Sequence, residues 1–536
     1  MKALTAAEMR EVDRLTTERY GIPSLQLMEN AGKKAADAVW RVAAGRDRVH
    51  VCVLCGRGNN GGDGFVTARY LRESKVPTRV FLFGKQEEVH GDAGVNLSRW
   101  LEAGDKVETI GEDADWERNW PKVSSCNVIV DAMLGTGLRG AASGVVARAI
   151  SEVNEFSRKA TAPRPALILA VDTPSGLPSD GASTGGPVLF AHRTVSFTAP
   201  KVGQLLSPNS DACGALEVVS IGSPLALIEE VGKGALRYAS VDEFSFVPLV
   251  RAASSHKGSF GHVLIVAGSL GKSGAAILAG YASLCGGSGL TTVASPDVIL
   301  STIASAHSEY MTEPLVSTEL GTVSSANLSS GRFAEILKGK SVLALGPGLG
   351  MHGQTQEAIR QLVRESTLPI VLDADGLNAF AGKAELLKER KSAFLTITPH
   401  PGEMARLLGV SNAEVQSDRL KAAVKGAGRW NCHVILKGVH TLIVAPDGRS
   451  WVNTSGGPAL AKGGSGDTLT GLLAALTAQF GTHDWLRVLA LGVLLHGVAA
   501  DLLTLEEEPS GVLATEVAEW IPRAREWLLR ELQFGA

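Results

Sequence analysis

Glycine-rich strings that also carry carboxylates or amides recur along this chain and could bind a phosphorylated ligand. The first string, at residues 59–64, follows an apolar run and includes Asn59, Asn60, Gly61, Gly62 and Asp63. Glycine lets backbone approach a ligand closely, and N–H groups at the start of a following helix face an anion. The amide and carboxylate oxygens also suit a monovalent cation or ribose hydroxyls. The alternative is a plain turn before a helix that Asp63 caps.

Two aspartates directly follow other apolar, strand-like runs. Asp131 ends the first run, and the loop after it contains Gly135, Thr136, Gly137, Leu138, Arg139, Gly140 and Ala141. Asp172 ends the second run, and Ser175 lies three residues later. Because ligands of open parallel sheets bind beyond the carboxyl ends of the strands, we expect these acids to share a site, although each could instead cap a loop. Lys201, after a further strand-like run, could meet a phosphate at the same edge.

The string GGSGDTLTG at residues 463–471 predicts a phosphate site in the second half. Gly463, Gly464 and Gly466 allow the N-terminus of a helix to reach a phosphate, whose charge the backbone N–H groups offset. Asp467 would lie in the first turn of that helix, where it could accept the proton of a hydroxyl that attacks phosphorus. The string lacks the GK[ST] of a Walker A motif. The alternative for Asp467 is an acid that only stabilises the start of the helix.

Further loops follow other predicted strands of the second half. LKGVHT at residues 436–441 offers a loop along which a nucleotide can lie. LGPGLG at 345–350 and LDADGLN at 372–378 end two more strands. His400 is flanked by two prolines after a strand-like run, which makes it a better site candidate than an isolated histidine.

Strand-like runs alternate with amphipathic stretches through both halves, which predicts an α/β fold with mainly parallel sheets. The predicted strands of the first half are Val49–Leu54, Arg79–Phe83, Val128–Asp131, Leu167–Val171 and Thr194–Phe197. Those of the second half are His262–Ala267, Leu290–Ala294, Val342–Leu345, Ile370–Asp373, Phe394–Thr398 and Val434–Leu436, followed by a hairpin, Thr441–Ala445 and Arg449–Asn453. We place the domain boundary near residues 230–245, with domains 1–235 and 236–536.

Composition predicts a globular protein without a nucleic-acid or membrane partner. Of the 536 residues, 45% are hydrophobic and 20% charged, the net charge is −3, and no basic cluster that would neutralise a phosphate backbone is present. Six scattered cysteines include Cys52 and Cys55, which would face opposite sides of one strand, so we expect reduced thiols. The uncharged stretch at 274–295 contains several glycines and predicts a buried helix and strand rather than a membrane span. The N-terminus lacks the apolar segment of a signal peptide, and we expect a cytoplasmic protein.

The motifs of the first half, taken together and in order, resemble the NAD(P)H-hydrate epimerase family over residues 1–225. They are LMENAG at residues 27–32, NNGGDG, DAMLGTG, DTPSG and TAPK. The resemblance implies a substrate of NADH or NADPH hydrated at the nicotinamide ring, called NADHX or NADPHX. It implies substrate contacts from Asn59 to Asp63, from Gly135 to Ala141 and at Asp172. It also implies a K⁺ site formed by Asn60, Asp131 and Ser175.

The chemistry of the hydrate fits a carboxyl at this site. Its hydroxyl lies on the carbon next to the ring nitrogen, so inversion of that carbon requires the hydroxyl to leave and return. Both steps need a proton donor and acceptor, and Asp172 is the candidate for this role.

The motifs of the second half resemble ribokinase-like folds and, more closely, the NAD(P)H-hydrate dehydratase family over residues 245–530. The resemblance implies that a nucleotide phosphorylates the hydrate hydroxyl, after which phosphate departs more readily than hydroxide would. The implied nucleotide contacts are Lys437, Gly438, Val439, His440, Thr441 and Gly466. The implied hydrate contacts are Ala276, Gly350, His400 and Asp467, with Asp467 as the base.

The two resemblances together imply two three-layer α/β domains, Rossmann-like and ribokinase-like, and a set of co-substrates. ADP, or ATP, is the expected phosphoryl donor, and Mg²⁺ is expected with the nucleotide. The fusion of both domains in one chain looks bacterial and favours ADP. Lys462, where bacterial members often have the serine of ASGG, would add a cation near the phosphates. We also expect a homo-oligomer.

Two alternatives to this function stay open on the sequence alone. A kinase of a small alcohol joined to a dinucleotide-sensing module would release a stable phosphorylated product instead of phosphate. A non-catalytic binding protein that kept the fold would lack the acids, yet Asp131, Asp172 and Asp467 are all present.

Overall fold

The protein forms two compact units, Met1–Leu236 and Arg237–Ala536. The structure, a computed structural model, describes residues 1–43, 48–138, 140–159, 166–181, 185–481 and 483–534. All elements below lie within those ranges, and each unit is described by itself.

The first unit contains a parallel sheet in the order β3-β2-β1-β4-β5-β6-β7. Its strands are β1 Val51–Cys55, β2 Thr78–Phe83, β3 Val107–Ile110, β4 Val128–Ala132, β5 Leu167–Val171, β6 Arg193–Phe197 and β7 Ala215–Val219. Its helices are α1 Ala6–Tyr20, α2 Ser24–Ala43, α3 Asn59–Glu73, α4 Gly91–Glu102, α5 Asp113–Ser124, α6 Gly144–Lys159, α7 Val202–Leu205 and α8 Leu225–Val231.

Side chains of the first sheet alternate between two apolar cores, one on each face. Val53 and Cys55 belong to the core that includes α2 to α4, whereas Cys52 and Leu54 belong to the core that includes α5 and α6. The predicted opposite orientation of Cys52 and Cys55 is therefore confirmed, and both are free thiols. The strand order changes direction between β1 and β4, which opens a crevice beyond the carboxyl ends of the strands.

The second unit contains a larger mixed sheet in the order β11-β10-β9-β12-β13-β14-β15-β16-β17-β8. Its strands are β8 Leu236–Tyr238, β9 His262–Val266, β10 Leu290–Pro296, β11 Met311–Leu315, β12 Val342–Leu345, β13 Ile370–Leu372, β14 Leu395–Ile397, β15 His433–Leu436, β16 Thr441–Val444 and β17 Ser450–Asn453. β9 to β15 pair in parallel, and β15, β16 and β17 pair antiparallel. The predicted α/β class with mainly parallel sheets and the predicted hairpin are confirmed.

The helices of the second unit include two strongly apolar ones, Ser273–Cys285 and Trp485–Leu503. The full set is α9 Ser273–Cys285, α10 Leu300–Ala304, α11 Ala326–Ser329, α12 Arg332–Leu337, α13 Gly353–Glu365, α14 Asp375–Asn378, α15 Pro401–Leu408, α16 Asn412–Ser417, α17 Arg419–Trp430, α18 Ser465–Phe480, α19 Trp485–Leu503 and α20 Ala514–Phe534. α9 is followed by β10, as predicted for the uncharged stretch. Among the described helices, only α19 is long and apolar enough to cross a membrane. Of the apolar 18-residue stretch in this helix, 83% is buried inside the protein.

The strands that the sequence did not predict are the edges of the two sheets: β3, β7, β8 and β11. An edge strand is covered on fewer sides, so it needs no continuous apolar run. β7 and β11, for example, are mostly half-buried or exposed. The central strands, which position the sites, were all predicted to within two residues.

Candidate active sites

The glycine string of the first unit forms the first turn of α3 rather than a loop in front of it. Gly58 is the N-cap, so Asp63 does not cap the helix. A Cβ atom on Gly61 would lie 1.9 Å from the carbonyl oxygen of Gly56, which shows that only glycine fits there. The N–H groups of this first turn therefore face the crevice beyond β1.

Asp131 and Ser175 join the loops that follow β4 and β5. The Ser175 hydroxyl donates to Oδ1 of Asp131 at 2.6 Å, and the Ser175 N–H donates to Oδ2 at 2.7 Å. The Ser175 hydroxyl also accepts the N–H of Leu134 at 2.8 Å. Burial raises the pKa of Asp131 to about 6, although these hydrogen bonds oppose that rise. The sequence-predicted pair of Asp131 and Ser175 is thus in direct contact.

Asn60 lies against the same loop and leaves one oxygen without a partner. Its Nδ2 donates to the carbonyl of Leu134 at 2.9 Å. Its Oδ1 is buried and, among the described residues, has no hydrogen-bond partner. A buried amide oxygen that accepts no hydrogen bond destabilises the fold unless a ligand or ion binds it. This arrangement suits a cation that prefers oxygen ligands.

Asp172 is paired with a lysine that the sequence did not connect to it. The Lys201 ammonium is fully buried and donates to Oδ1 of Asp172. It also donates to the Ser196 hydroxyl at 3.0 Å and to the Phe197 carbonyl at 3.2 Å. The prediction that Lys201 could meet a phosphate is wrong, because its ammonium is fully buried and its N–H donors bind acceptors inside the protein.

Asp172 also has an unusual backbone conformation. Its φ is +60°, in the left-handed region that non-glycine residues seldom occupy. Gln204 donates to its carbonyl at 2.6 Å, and the Phe197 N–H donates to its Oδ1 at 3.1 Å. Such conformations persist only where the surroundings hold them, and they cluster at functional sites.

The loop of residues 135–141 lies beside Asn60 over the same crevice. A Cβ atom on Gly135 would lie 3.0 Å from Cβ of Asn60, and one on Gly186 would lie 2.6 Å from Cβ of Ala141. Arg139 lies outside the described residues. The other members remain candidates for substrate contacts.

The second unit centres on a partly buried lysine just after β15. Lys437 donates to Oδ1 of Asp373 at 2.8 Å, and Thr470 of α18 donates to Oδ2 of the same carboxylate at 2.8 Å. A Cβ atom on Gly466 would lie 3.3 Å from the Lys437 ammonium. The ammonium therefore lies beside the N-terminus of α18, where a phosphate would meet both. Asp373 stands in the LDADGLN string, but no local pattern in that string pointed to this role.

Asp467 lies in the first turn of α18, as predicted. Burial, together with the nearby carboxylates of Asp373 and Asp375, raises its pKa to about 6, although the charge of Lys437 opposes that rise. A carboxyl with a pKa close to neutral is suited to proton transfer.

The loop of residues 437–441 is held by a buried arginine that the sequence did not single out. Arg419 donates to the carbonyls of Val439, Leu436 and Lys437, the last two at 3.1 and 3.3 Å. Gly438 has φ of +139° and His440 has φ of +53°. Val439 is exposed, so part of the loop is open to a ligand.

Three of the predicted hydrate contacts differ in what they present. His400 is the N-cap of α15, and its Nδ1 accepts the Gly402 N–H at 3.0 Å. The ring remains half exposed, at 52%. Gly350 donates its N–H to Asp375 at 2.8 Å. Ala276, in the first turn of α9, is fully buried in the core, so this residue itself presents no exposed surface to a ligand.

Two further groups lie near the glycine string that begins α18. The Lys462 ammonium donates to the Ser510 carbonyl at 2.9 Å. His496 of α19 is buried and interacts with the Ser465 backbone and with the charge of Lys437, while its Nε2 has no hydrogen-bond partner in the described part of the chain. Burial lowers the pKa of His496 to about 4.

Comparison with known proteins identifies the family. Residues 24–203 match the family of the YjeF-related protein N-terminus, and residues 263–523 match the NAD(P)H-hydrate dehydratase family. A bifunctional NAD(P)H-hydrate repair enzyme of Moorella thermoacetica is 38% identical over 99% of this chain and 97% of its own length. The chain belongs to the bifunctional NAD(P)H-hydrate repair enzymes.

Other members of this repair-enzyme family match at similar length. The bifunctional repair enzyme of Escherichia coli K12 is 33% identical over 97% of this chain and 93% of its own. A solved ADP/ATP-dependent NAD(P)H-hydrate dehydratase from Bacillus subtilis, co-crystallized with ATP/Mg²⁺, is 30% identical and covers 52% of this chain and 94% of that one, with a TM-score of 0.44. The predicted function, a hydrate epimerase joined to a hydrate dehydratase, is confirmed. The epimerase match lies within the first unit and the dehydratase match within the second.

Proposed function

We propose that this repair enzyme inverts the hydrates of NADH and NADPH at Asp172 in the first unit and dehydrates one epimer at Asp467 in the second. The observation that carries the proposal is the position of Asp467. A carboxyl whose pKa is raised to about 6 stands near a partly buried lysine at a helix N-terminus. That combination binds a phosphate and accepts a proton next to it.

In the epimerase reaction, the hydroxyl of the hydrate must leave and return on the other face of the ring. An acid protonates the hydroxyl, the C–O bond breaks to release water, and the ring nitrogen's lone pair forms a C=N⁺ bond. Water then adds to the opposite face, and a carboxylate accepts its proton. Asp172 stabilises the cation and accepts the proton, because Lys201 and Phe197 fix its carboxylate in place. We assign substrate contacts to Asn59 to Asp63 and to residues 135–138, 140 and 141.

Potassium fits the junction of Asn60, Asp131 and Ser175. The partnerless Oδ1 of Asn60 and the buried carboxylate of Asp131 supply the oxygen ligands that such a cation prefers. A bound cation would offset the negative charge of Asp131 beside a dinucleotide that is itself anionic. The residues of this junction order the loops that follow β4 and β5.

In the dehydratase reaction, the adenine nucleotide transfers its terminal phosphoryl group to the hydrate hydroxyl. Asp467 accepts the hydroxyl proton as the new P–O bond forms and the bond to the nucleotide breaks. Phosphate then leaves with the C–O bond electrons, and loss of a proton from the neighbouring carbon completes the dihydronicotinamide ring. Lys437 and the N–H groups at the start of α18 stabilise the transferred charge.

The nucleotide lies along residues 437–441 and Gly466 in this proposal, and the hydrate contacts Gly350, His400, Asp467 and residues near Ala276. ADP is the preferred donor and ATP the alternative. Mg²⁺ accompanies the nucleotide, since Mg²⁺ is commonly held by substrate phosphates together with one or two carboxylates. We further propose a cytoplasmic homo-oligomer with no membrane or nucleic-acid partner.

The test uses a mixture of both hydrate epimers with Mg²⁺, K⁺ and either nucleotide, followed by the absorbance of reduced nicotinamide. Full conversion with release of inorganic phosphate is expected, and the nucleotide that supports it identifies the donor. Conversion that stops near half would show an inactive epimerase unit. No recovery with either nucleotide would refute the dehydratase, and a stable phosphorylated product would favour a small-alcohol kinase.

A further inference from the structure

The first helix, α1, begins beside the lysine that pairs with Asp172. The Leu4 N–H donates to the Pro200 carbonyl at 2.9 Å, and the Val202 N–H donates to the Leu4 carbonyl at 3.2 Å. Leu4 is therefore hydrogen-bonded to the residues on both sides of Lys201. The N–H of Ala6 donates to the Asp180 carboxylate at 2.7 Å. These bonds fix the start of α1 over the carboxyl ends of β5 and β6.

Asp13 is an exposed residue at the edge of the buried face of α1. Ala6, Met9 and Thr16, which are seven, four and three residues away, are all buried, and such spacings share one helix face. The Asp13 side chain nevertheless remains accessible to solvent. Within the described part of the chain, no hydrogen bond or ion pair to its carboxylate is present. A carboxyl at the edge of a packed helix face is placed to line a cleft beside that helix.

That cleft is the one that contains Asp172. Asp13 interacts electrostatically with both Asp172 and Lys201, and Asp63 of α3 interacts with all three. Burial among these groups raises the pKa of Asp13 to about 6, with Asp172 adding to the rise and Lys201 opposing it. Burial likewise raises the pKa of Asp63 well above its usual range. Three carboxyls and one ammonium therefore surround the site.

Inversion at one carbon needs proton transfer on both faces of the ring. While one group protonates the departing hydroxyl, another must accept a proton from the water that arrives on the opposite face. Two carboxyls in different environments can divide these roles. Asp172 is fixed by Lys201, whereas no cation among the described residues is bonded to Asp13, which leaves its carboxyl free to carry the proton.

We propose that Asp13 is a catalytic acid–base group of the epimerase site, which exchanges a proton with the hydrate hydroxyl on one face of the ring while Asp172 serves the other. In one direction Asp13 gives its proton to the hydroxyl, the C–O bond breaks, water leaves and the C=N⁺ bond forms. A second water then forms the new C–O bond on the other face and gives its proton to Asp172. The reverse direction exchanges the two roles. The proposal rests on the epimerase function proposed above.

The experiment measures interconversion of the purified epimers by chromatography, without nucleotide, in the full-length chain. Asp13→Asn is expected to lower kcat by about 100-fold or more, the usual contribution of general acid–base catalysis, with KM little changed. Glu11→Gln is the matched control, because Glu11 lies on the same helix and pairs with Arg14 at the surface; its rate should equal that of the wild type. Dehydration of the accepted epimer by the second unit should be unchanged in both variants.

The outcomes separate this proposal from the proposed function. A wild-type rate in Asp13→Asn together with an inactive Asp172→Asn would overturn the role of Asp13 alone. Wild-type rates in both variants would remove the whole site assignment, and no interconversion by the unmodified chain would remove the epimerase function. If the first unit of Asp13→Asn shows no melting transition, that variant is unfolded, and the kcat, KM and pH profile of Asp13→Glu are measured instead. A lower kcat with a shifted pH profile and an unchanged KM supports the proposal, and an unchanged kcat and profile overturn it.

Discussion

The partly buried Lys437 and the buried Asp373 form an ion pair at 2.8 Å that joins the end of β15 to the end of β13. Thr470 completes the hydrogen bonds of the same carboxylate, so the pair also holds α18. Because the Lys437 ammonium lies beside Gly466, this one contact sets where a phosphate and the N-terminus of α18 meet. Positioning of this kind supplies most of the catalysis in phosphoryl transfer.

Loss of Asp373 should therefore cost stability as well as nucleotide binding. Asp373→Asn leaves a partly buried ammonium without its counter-charge, and we expect the free energy of unfolding of the second unit to fall by about 2 kcal/mol, between the costs for exposed and fully buried pairs. The KM for the nucleotide should rise. Asp447→Asn, which breaks the exposed pair with Arg449, is the control and should cost less than about 1 kcal/mol. Denaturant unfolding measures both, and equal losses in the two variants would contradict the expectation.

Removal of the Asp467 carboxyl should abolish dehydration and spare epimerisation. Asp467→Asn is expected to lower dehydratase kcat by about 100- to 10,000-fold, the range of a lost general base. The base must be ionised to act, and its pKa is raised to about 6, so wild-type kcat/KM should fall as the pH drops through about 6. A pH–rate profile without that limb would show that another group is the base.

Removal of the Asp172 carboxyl should abolish epimerisation and spare dehydration. With a mixture of epimers, Asp172→Asn should convert only the epimer that the dehydratase accepts and then stop near half. Lys201→Met should behave similarly, because Asp172 would lose its only bonded cation among the described residues. Full conversion by both variants, at a rate above spontaneous epimerisation, would remove Asp172 from the mechanism.

A cation at Asn60 should stabilise the first unit. KCl should raise the melting temperature of that unit relative to choline chloride at equal ionic strength, since a ligand that binds only the folded state stabilises it. Asn60→Ala removes the partnerless oxygen and should abolish the difference. Asn119→Ala is a control elsewhere in the unit, because the Oδ1 of Asn119 is also buried without a hydrogen bond but lies on α5. The same potassium effect in all three proteins would place the cation elsewhere.

His496 should make the stability of the second unit depend on pH. Its pKa is lowered to about 4 in the folded protein and is about 6.5 when unfolded, so the unfolded chain binds the proton first. The neutral ring contributes fully above about pH 6.5, and this contribution is lost as the pH falls towards 4. Between pH 7.5 and 5.0 the loss is about 2 kcal/mol. Over this pH range, the free energy of unfolding of His496→Gln should therefore fall by about 2 kcal/mol less than that of the wild type. Denaturant unfolding at both pH values measures the two losses. Equal losses in variant and wild type would contradict the prediction.

The central strands and their glycine-rich ends were accessible from sequence because both leave local signals. Buried parallel strands such as Leu167–Val171 are continuous apolar runs, and a loop that approaches a ligand needs glycines such as Gly61. The sequence strings at residues 59–64 and 463–471 predicted both sites and, through the resemblance they carry, the family. The order of the motifs along the chain also separated the two activities.

The tertiary structure alone decided which side chains act on one another. Lys201 and Asp172 are 29 residues apart, and Lys437 and Asp373 are 64 apart. No local pattern encodes such pairs, because they arise where separate strands end at the same edge of a sheet. Asp13 left only a faint signal, a charged residue at the edge of the buried face of α1. Its place beside Asp172 depends on how the Leu4 segment binds to the backbone around Lys201, which only the folded chain determines.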